Sequence, residues 1–113
     1  MIKPVIKIML SSSVNIFGPG ISELLKEIEI KSNIKDAALS LGMSYSKARN
    51  ILKRLEDEIG FEVITIKYGG KKGGETYLTE NGKELLKLYD KYREALEKES
   101  NRLYDEILGG LLC

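Results

Sequence analysis

Apolar residues recur at spacings of three and four in several stretches of this 113-residue chain, and each stretch is bounded by a residue that starts or stops a helix. Gly18-Pro19-Gly20 breaks the chain before a first helix over Ile21 to Ile28, whose inward stripe is Leu24, Leu25 and Ile28. Asn33 or Ser32 can cap a short second helix in which Ile34, Ala37, Ala38 and Leu41 share a face, the two alanines leaving room for a close neighbour. Gly42 supplies a left-handed residue to end it, and Ser44 caps a third helix with Ala48, Ile51, Leu52, Leu55 and Ile59 as its buried stripe. Strand signals replace this periodicity in four places. Ile6, Ile8 and Leu10 predict a strand over 5–10, paired across Ser11-Ser12-Ser13 with a strand over 14–17. The β-branched run Phe61 to Lys67 predicts another strand, and Thr76-Tyr77-Leu78 its return.

Two helices joined by a turn of about three residues, followed by a hairpin, form a helix-turn-helix with a wing. The buried stripe of the third helix leaves Tyr45, Ser46, Lys47, Arg49, Asn50 and Lys53 on its other faces near the start, where side chains of these types can reach base edges and phosphates, with Ser44 at the cap. The hairpin tip Gly69-Gly70-Lys71-Lys72-Gly73-Gly74 lets backbone approach a polyanion, and Lys67, Lys71 and Lys72 bring positive charge. A phosphate-binding P-loop is excluded, because Lys72 stands after Gly70-Lys71 where that motif needs Ser or Thr. Set against these are an ordinary helical hairpin with a solvated polar face, and a lysine-bearing hairpin that serves only solubility.

From Thr79 to about Ile107 the chain reads as one long helix ended by Gly109-Gly110. Leu85, Tyr89, Tyr92, Leu96, Leu103 and Ile107 follow a near-heptad stripe interrupted around Glu99-Ser100. A lone helix cannot bury such a stripe, so it either pairs with a second copy as a dimerisation element or folds back on its own domain.

Net charge is only +1, but it is unevenly divided. There are five basic and four acidic groups up to residue 43, seven and four from 44 to 74, and six and nine beyond. Positive charge thus gathers on the third helix and hairpin, while Glu56-Asp57-Glu58 limits any phosphate contact to the beginning of that helix. With no histidine and one cysteine, Cys113, the usual transition-metal clusters are absent, and no metal or cofactor is expected. Neither a nucleophile–base pair nor a paired-carboxylate pocket stands out, so an enzyme is not expected. No run is long enough to span a membrane and none has the form of an export signal, which points to the cytoplasm.

Phe17-Gly18-Pro19-Gly20, the helix Ile21 to Ile28, Ala37-Ala38, Ser44-Tyr45-Ser46-Lys47-Ala48, the glycine-lysine tip and Leu78-Thr79-Glu80-Asn81-Gly82 together resemble the DNA-binding domain of the ModE family, molybdate-responsive regulators related in this domain to the LysR type. The resemblance runs from about Lys3 to Tyr92, with Arg49 where the family commonly has Trp. It implies a mainly α fold with small β elements: a winged helix-turn-helix over 1–78 with an N-terminal β-hairpin, then a C-terminal dimerisation helix over 79–113. It further implies double-stranded DNA and a second copy of the chain as partners. The family's oxyanion-binding domains have no counterpart in these 113 residues, so molybdate sensing in the family manner is not expected, and a separate sensor protein could take that part. The alternative is a winged helix used as a protein-interaction module.

Overall fold

The computed structural model describes residues 1–68 and 74–112. Among them the chain forms, in order, β1 (Leu10–Ser11), β2 (Asn15–Phe17), α1 (Pro19–Lys31), α2 (Ile34–Ser40), α3 (Tyr45–Ile59), β3 (Ile64–Lys67), β4 (Glu75–Leu78), α4 (Glu80–Ile107) and α5 (Gly109–Leu112). This is the expected mainly helical winged helix-turn-helix with two small antiparallel sheets, β1-β2 and β3-β4.

Local caps set most helix boundaries. The Asn33 side chain accepts the Asp36 amide at 3.0 Å, Ser44 Oγ the Lys47 amide at 3.1 Å, and Thr79 Oγ1 the Gly82 amide at 2.9 Å. Between α2 and α3, Gly42 adopts φ 70°, and the Met43 amide returns to the Ala38 carbonyl at 3.0 Å, which makes the tight turn. The core is continuous. Leu24, Leu25 and Ile28 of α1 meet Ala37 and Ala38 of α2, Ala48, Leu52 and Leu55 of α3, and Leu86 and Tyr89 of α4, with Phe17 and Val63 filling between them. The two alanines of α2 are fully buried, as close approach of neighbouring helices requires.

Two strand expectations are corrected. The strand over 5–10 reduces to Leu10–Ser11, paired out of register with Asn15–Phe17, and the turn shifts to Ser12–Val14. Among the described residues, those before Leu10 pair with no neighbouring strand. The strand over 61–67 begins only at Ile64, because the Glu56 carboxylate accepts the Val63 and Ile64 amides at 2.7 and 3.3 Å and Thr79 Oγ1 donates to the Glu62 carbonyl at 2.7 Å. Those bonds hold Phe61 to Val63 as a connector. The long helix ends at Ile107 before Gly109-Gly110, as expected, and Gly109–Leu112 form a further short turn of helix.

Candidate nucleic-acid interface

Helix α3 is amphipathic about a sharp boundary. Ala48, Leu52 and Leu55 are buried with Ile51 and Ile59 partly so, while Tyr45, Ser46, Lys47, Arg49, Asn50 and Lys53 are all exposed. Ser46, Arg49, Asn50 and Lys53 stand at i, i+3, i+4 and i+7, so they form one ridge along the outer side. Among the described residues neither Arg49 nor Lys53 has an acidic partner. Their donors are therefore free to meet an external acceptor. Ser44 satisfies one N–H of the first turn, and the remaining partial positive charge of the helix start lies beside Tyr45 and Lys47.

The wing stem is a regular antiparallel ladder in which Ile64 faces Leu78, Thr65 faces Tyr77, Ile66 faces Thr76 and Lys67 faces Glu75. Its period of two turns Ile64, Thr76 and Leu78 inward and leaves Thr65, Lys67, Glu75 and Tyr77 on the outer face. Lys67 Nζ lies 5.2 Å from the Tyr77 ring centroid, a cation–π contact that steadies the lysine without neutralising it. The Tyr77 hydroxyl donates to the Glu75 carboxylate, which raises the phenol above its ordinary range. Lys71 and Lys72, expected at the wing tip, lie outside the described residues, as does Cys113.

Two exposed residues beside these positions escaped the sequence reading. Arg54 is seven residues after Lys47 and so shares its face, a spacing visible in the sequence. Tyr68 extends from the wing stem almost fully exposed, and a side chain at position 74 would begin 2.9 Å from Ile66 Cγ2 and 3.4 Å from the Tyr68 ring, so Gly74 makes room chiefly for Ile66. Of the acidic cluster, Glu56 is turned to the connector amides and Glu58 accepts from Ser12 Oγ at 2.9 Å. Glu56 and Asp57 nonetheless line the same groove as Arg49, Asn50 and Lys53, and only Glu58 lies off that ridge.

The expected dimer stripe divides. Tyr89 is buried in its own domain, edge-on to Phe17 with ring centroids 4.7 Å apart, and its hydroxyl donates to the Ile8 carbonyl at 2.8 Å. This corrects its expected place on an intersubunit surface, because Phe17 and the N-terminal arm form a slot of its shape. Leu85 is half-buried against the same core. Tyr92, Leu103 and Ile107 are exposed and Leu96 half-exposed.

Comparison with known proteins decides the family. The chain is 36% identical over 88 residues to the transcriptional regulator ModE of Yersinia pestis, 35% over 86 residues to the DNA-binding transcriptional dual regulator ModE of Escherichia coli K12, and 31% over 91 residues to the molybdenum transport protein ModE of Azotobacter vinelandii. This is a ModE-family winged helix-turn-helix domain. The matches take in 75%, 74% and 77% of this chain but only 32%, 32% and 33% of those proteins, so the chain spans about a third of the length of the curated relatives it matches. No family model matches it. Among the described residues of this ModE-type domain, no helix is long and apolar enough to cross a membrane and no group of three or more His, Cys, Asp or Glu side chains is placed to hold a metal.

Proposed function

We propose that this domain is the DNA-reading part of a transcriptional regulator that binds double-stranded DNA as a homodimer in the cytoplasm. The observation that carries the reading is the ridge on α3, where exposed, unpaired Arg49 and Lys53 flank Asn50 on a helix whose opposite side is buried in the core. In the major groove, Arg49 would take guanine O6 and N7 and Asn50 adenine N6 and N7, with Ser46 and Lys47 beside them. Tyr45 and Lys53 would bond flanking phosphates, aided by the Ser44-capped helix start. Lys67, with Lys71 and Lys72 beyond it, would hold the neighbouring backbone through the wing. The names of the relatives agree with this reading, and we assign no catalytic step and no cofactor to the domain.

For the dimer, Tyr92, Leu96, Leu103 and Ile107 on the distal half of α4 would meet their copies. Two α3 helices would then address half-sites about 34 Å apart, or a multiple of that, on one face of the duplex. Any response to an effector would belong to a separate sensor protein or segment. The test is selection of genomic DNA fragments followed by binding isotherms at several salt concentrations. An enriched inverted repeat bound with a steep negative salt slope is expected. Arg49→Ala should cost about 1–3 kcal/mol on the preferred sequence and relax the preference at one position, while Lys53→Ala weakens all sequences alike and lowers the slope by about one. No enriched sequence, with weak binding that vanishes near physiological salt, would move the assignment to a protein-interaction module.

A further inference from the structure

A cavity of about 630 Å³, within the size range of small-molecule sites, lies between the N-terminal arm, α1 and α4. The arm is tied down at one end, where the Ile8 carbonyl accepts from Tyr89, and its other end lies beside Asn101 and Tyr104 of α4. Those twelve positions of helix rise about 18 Å, so the six residues from Ile2 to Ile8 are nearly fully extended. Among the described residues, the bond from Tyr89 is the only one to the arm's backbone over that span. Below the arm, α1 presents the short side chains of Pro19 and Ser22, which cannot fill the space.

Ser22 is only 3% exposed, and its one hydrogen bond is from its amide to the Gly18 carbonyl, at 2.9 Å. Its hydroxyl has no partner among the described residues. No fully enclosed side-chain oxygen among them lacks one, so the Ser22 hydroxyl keeps its small open area on the cavity it lines. A donor at such a place calls for an acceptor. Charge says which kind. Lys3, Lys7, Lys26 and Arg93 line the cavity against Glu23 and Glu97. Lys26 is bridged to Asp90 at 3.4 Å, and Arg93 is held by Glu97, Asp90 and Glu94. Lys3 and Lys7 have no acidic partner among the described residues, and Glu23 has no basic one. Two free cations therefore outweigh one free acid. They stand four residues apart on the extended arm, about 13 Å along the backbone, so they approach the cavity from its two ends.

We infer that this cavity binds a small dicarboxylate, its two ends held by Lys3 and Lys7 and one carboxylate oxygen accepting from the Ser22 hydroxyl. Pro4, Ile6 and Pro19 offer apolar walls to the carbon skeleton between the carboxylates. Both lysines are exposed, so their attraction is screened, and a dissociation constant on the order of 1 mM is expected. Glu23 opposes binding as a like charge at the exposed side. No residue of α3 or of the wing lines the cavity, so the inference stands apart from the DNA reading.

The test is an NMR titration of the full chain with succinate at constant ionic strength, with acetate and inorganic phosphate in parallel. Succinate should give saturable amide shifts confined to Val5 to Lys7, Ser22 and Asn101. Ser22→Ala should weaken binding about tenfold through the lost bond to a charged group, and Lys7→Gln about threefold through a screened charge. Glu23→Gln should tighten it, and Lys91→Gln, an exposed lysine outside the cavity, should leave it unchanged. The spectrum away from the cavity reports that each variant is folded. Shifts that grow linearly without saturating, as for a cavity holding water only, overturn the site. So does equal weakening by Ser22→Ala and Lys91→Gln, the mark of diffuse ionic attraction. Acetate or phosphate binding as tightly as succinate overturns the dicarboxylate.

Discussion

Adding one methyl group at two glycines should move stability in opposite directions. Gly82, in the first turn of α4, is buried, and a Cβ there would lie 2.2 Å from the Val63 carbonyl oxygen and 3.0 Å from its carbon. Ordinary contact would need the helix and the connector to part by roughly 1 Å. That oxygen is not free to yield. It accepts the Thr79 amide at 3.0 Å, while Thr79 Oγ1 donates to the Glu62 carbonyl at 2.7 Å. Overpacking costs about 1–3 kcal/mol, and each of the two strained bonds contributes about 0.5–1.5 kcal/mol. Alanine returns up to about 1 kcal/mol of helix propensity. Gly82→Ala should therefore destabilise by about 2–4 kcal/mol, a fall in Tm on the order of 10 °C for a domain of this size. Gly20 sits in the first turn of α1 with nothing within 4 Å of a Cβ, so Gly20→Ala should gain up to about 1 kcal/mol. Urea and thermal unfolding followed by circular dichroism, at one fixed protein concentration, measure both. If Gly82→Ala proves as stable as the parent chain, the close approach of α4 to the connector is wrong.

Glu56→Ala removes the acceptor of the Val63 and Ile64 amides and should cost about 1–3 kcal/mol in urea unfolding; the same change at exposed Asp57, which makes no hydrogen bond or ion pair among the described residues, should cost under about 0.5 kcal/mol. Burial raises the Tyr89 phenol above its ordinary value of 10.0, with the nearby Arg93 lowering it and Asp90 raising it more weakly. Its folded-state value exceeds the unfolded one, so the contribution is complete below about pH 10 and is lost as pH rises through the folded value. Wild-type stability should accordingly fall more steeply than that of Tyr89→Phe above pH 10, and Tyr89→Phe should cost about 0.5–1.5 kcal/mol at neutral pH through the bond to Ile8. Parallel pH profiles for the two proteins would refute the burial argument.

What the sequence discloses here depends on the range of the interaction. Asn33, Ser44 and Thr79 cap helices by reaching amides three residues ahead, and Gly42 needs only its own φ, so these boundaries are readable from local chemistry. The exposed ridge Ser46, Arg49, Asn50 and Lys53 follows from the buried stripe beside it. Longer-range choices are not readable this way. Alternation in Ile6, Ile8 and Leu10 marks strand character but not whether a partner strand lies within the same chain. Capture of the Val63 amide by Glu56 joins residues seven apart on different elements, and it shortens β3. Tyr89 fits a heptad stripe and a core equally well, and only the position of Phe17 and Ile8 decides.

The bonds from Glu56 to Val63 and Ile64 join the last turn of α3 to the start of the wing through one carboxylate. The angle between α3 and the β3-β4 hairpin is therefore fixed during folding. A surface that meets both must accept that angle rather than induce it. Little ordering entropy then remains to be lost on association, and the two elements act as a single rigid jaw whose gape is set by a side chain that touches no ligand.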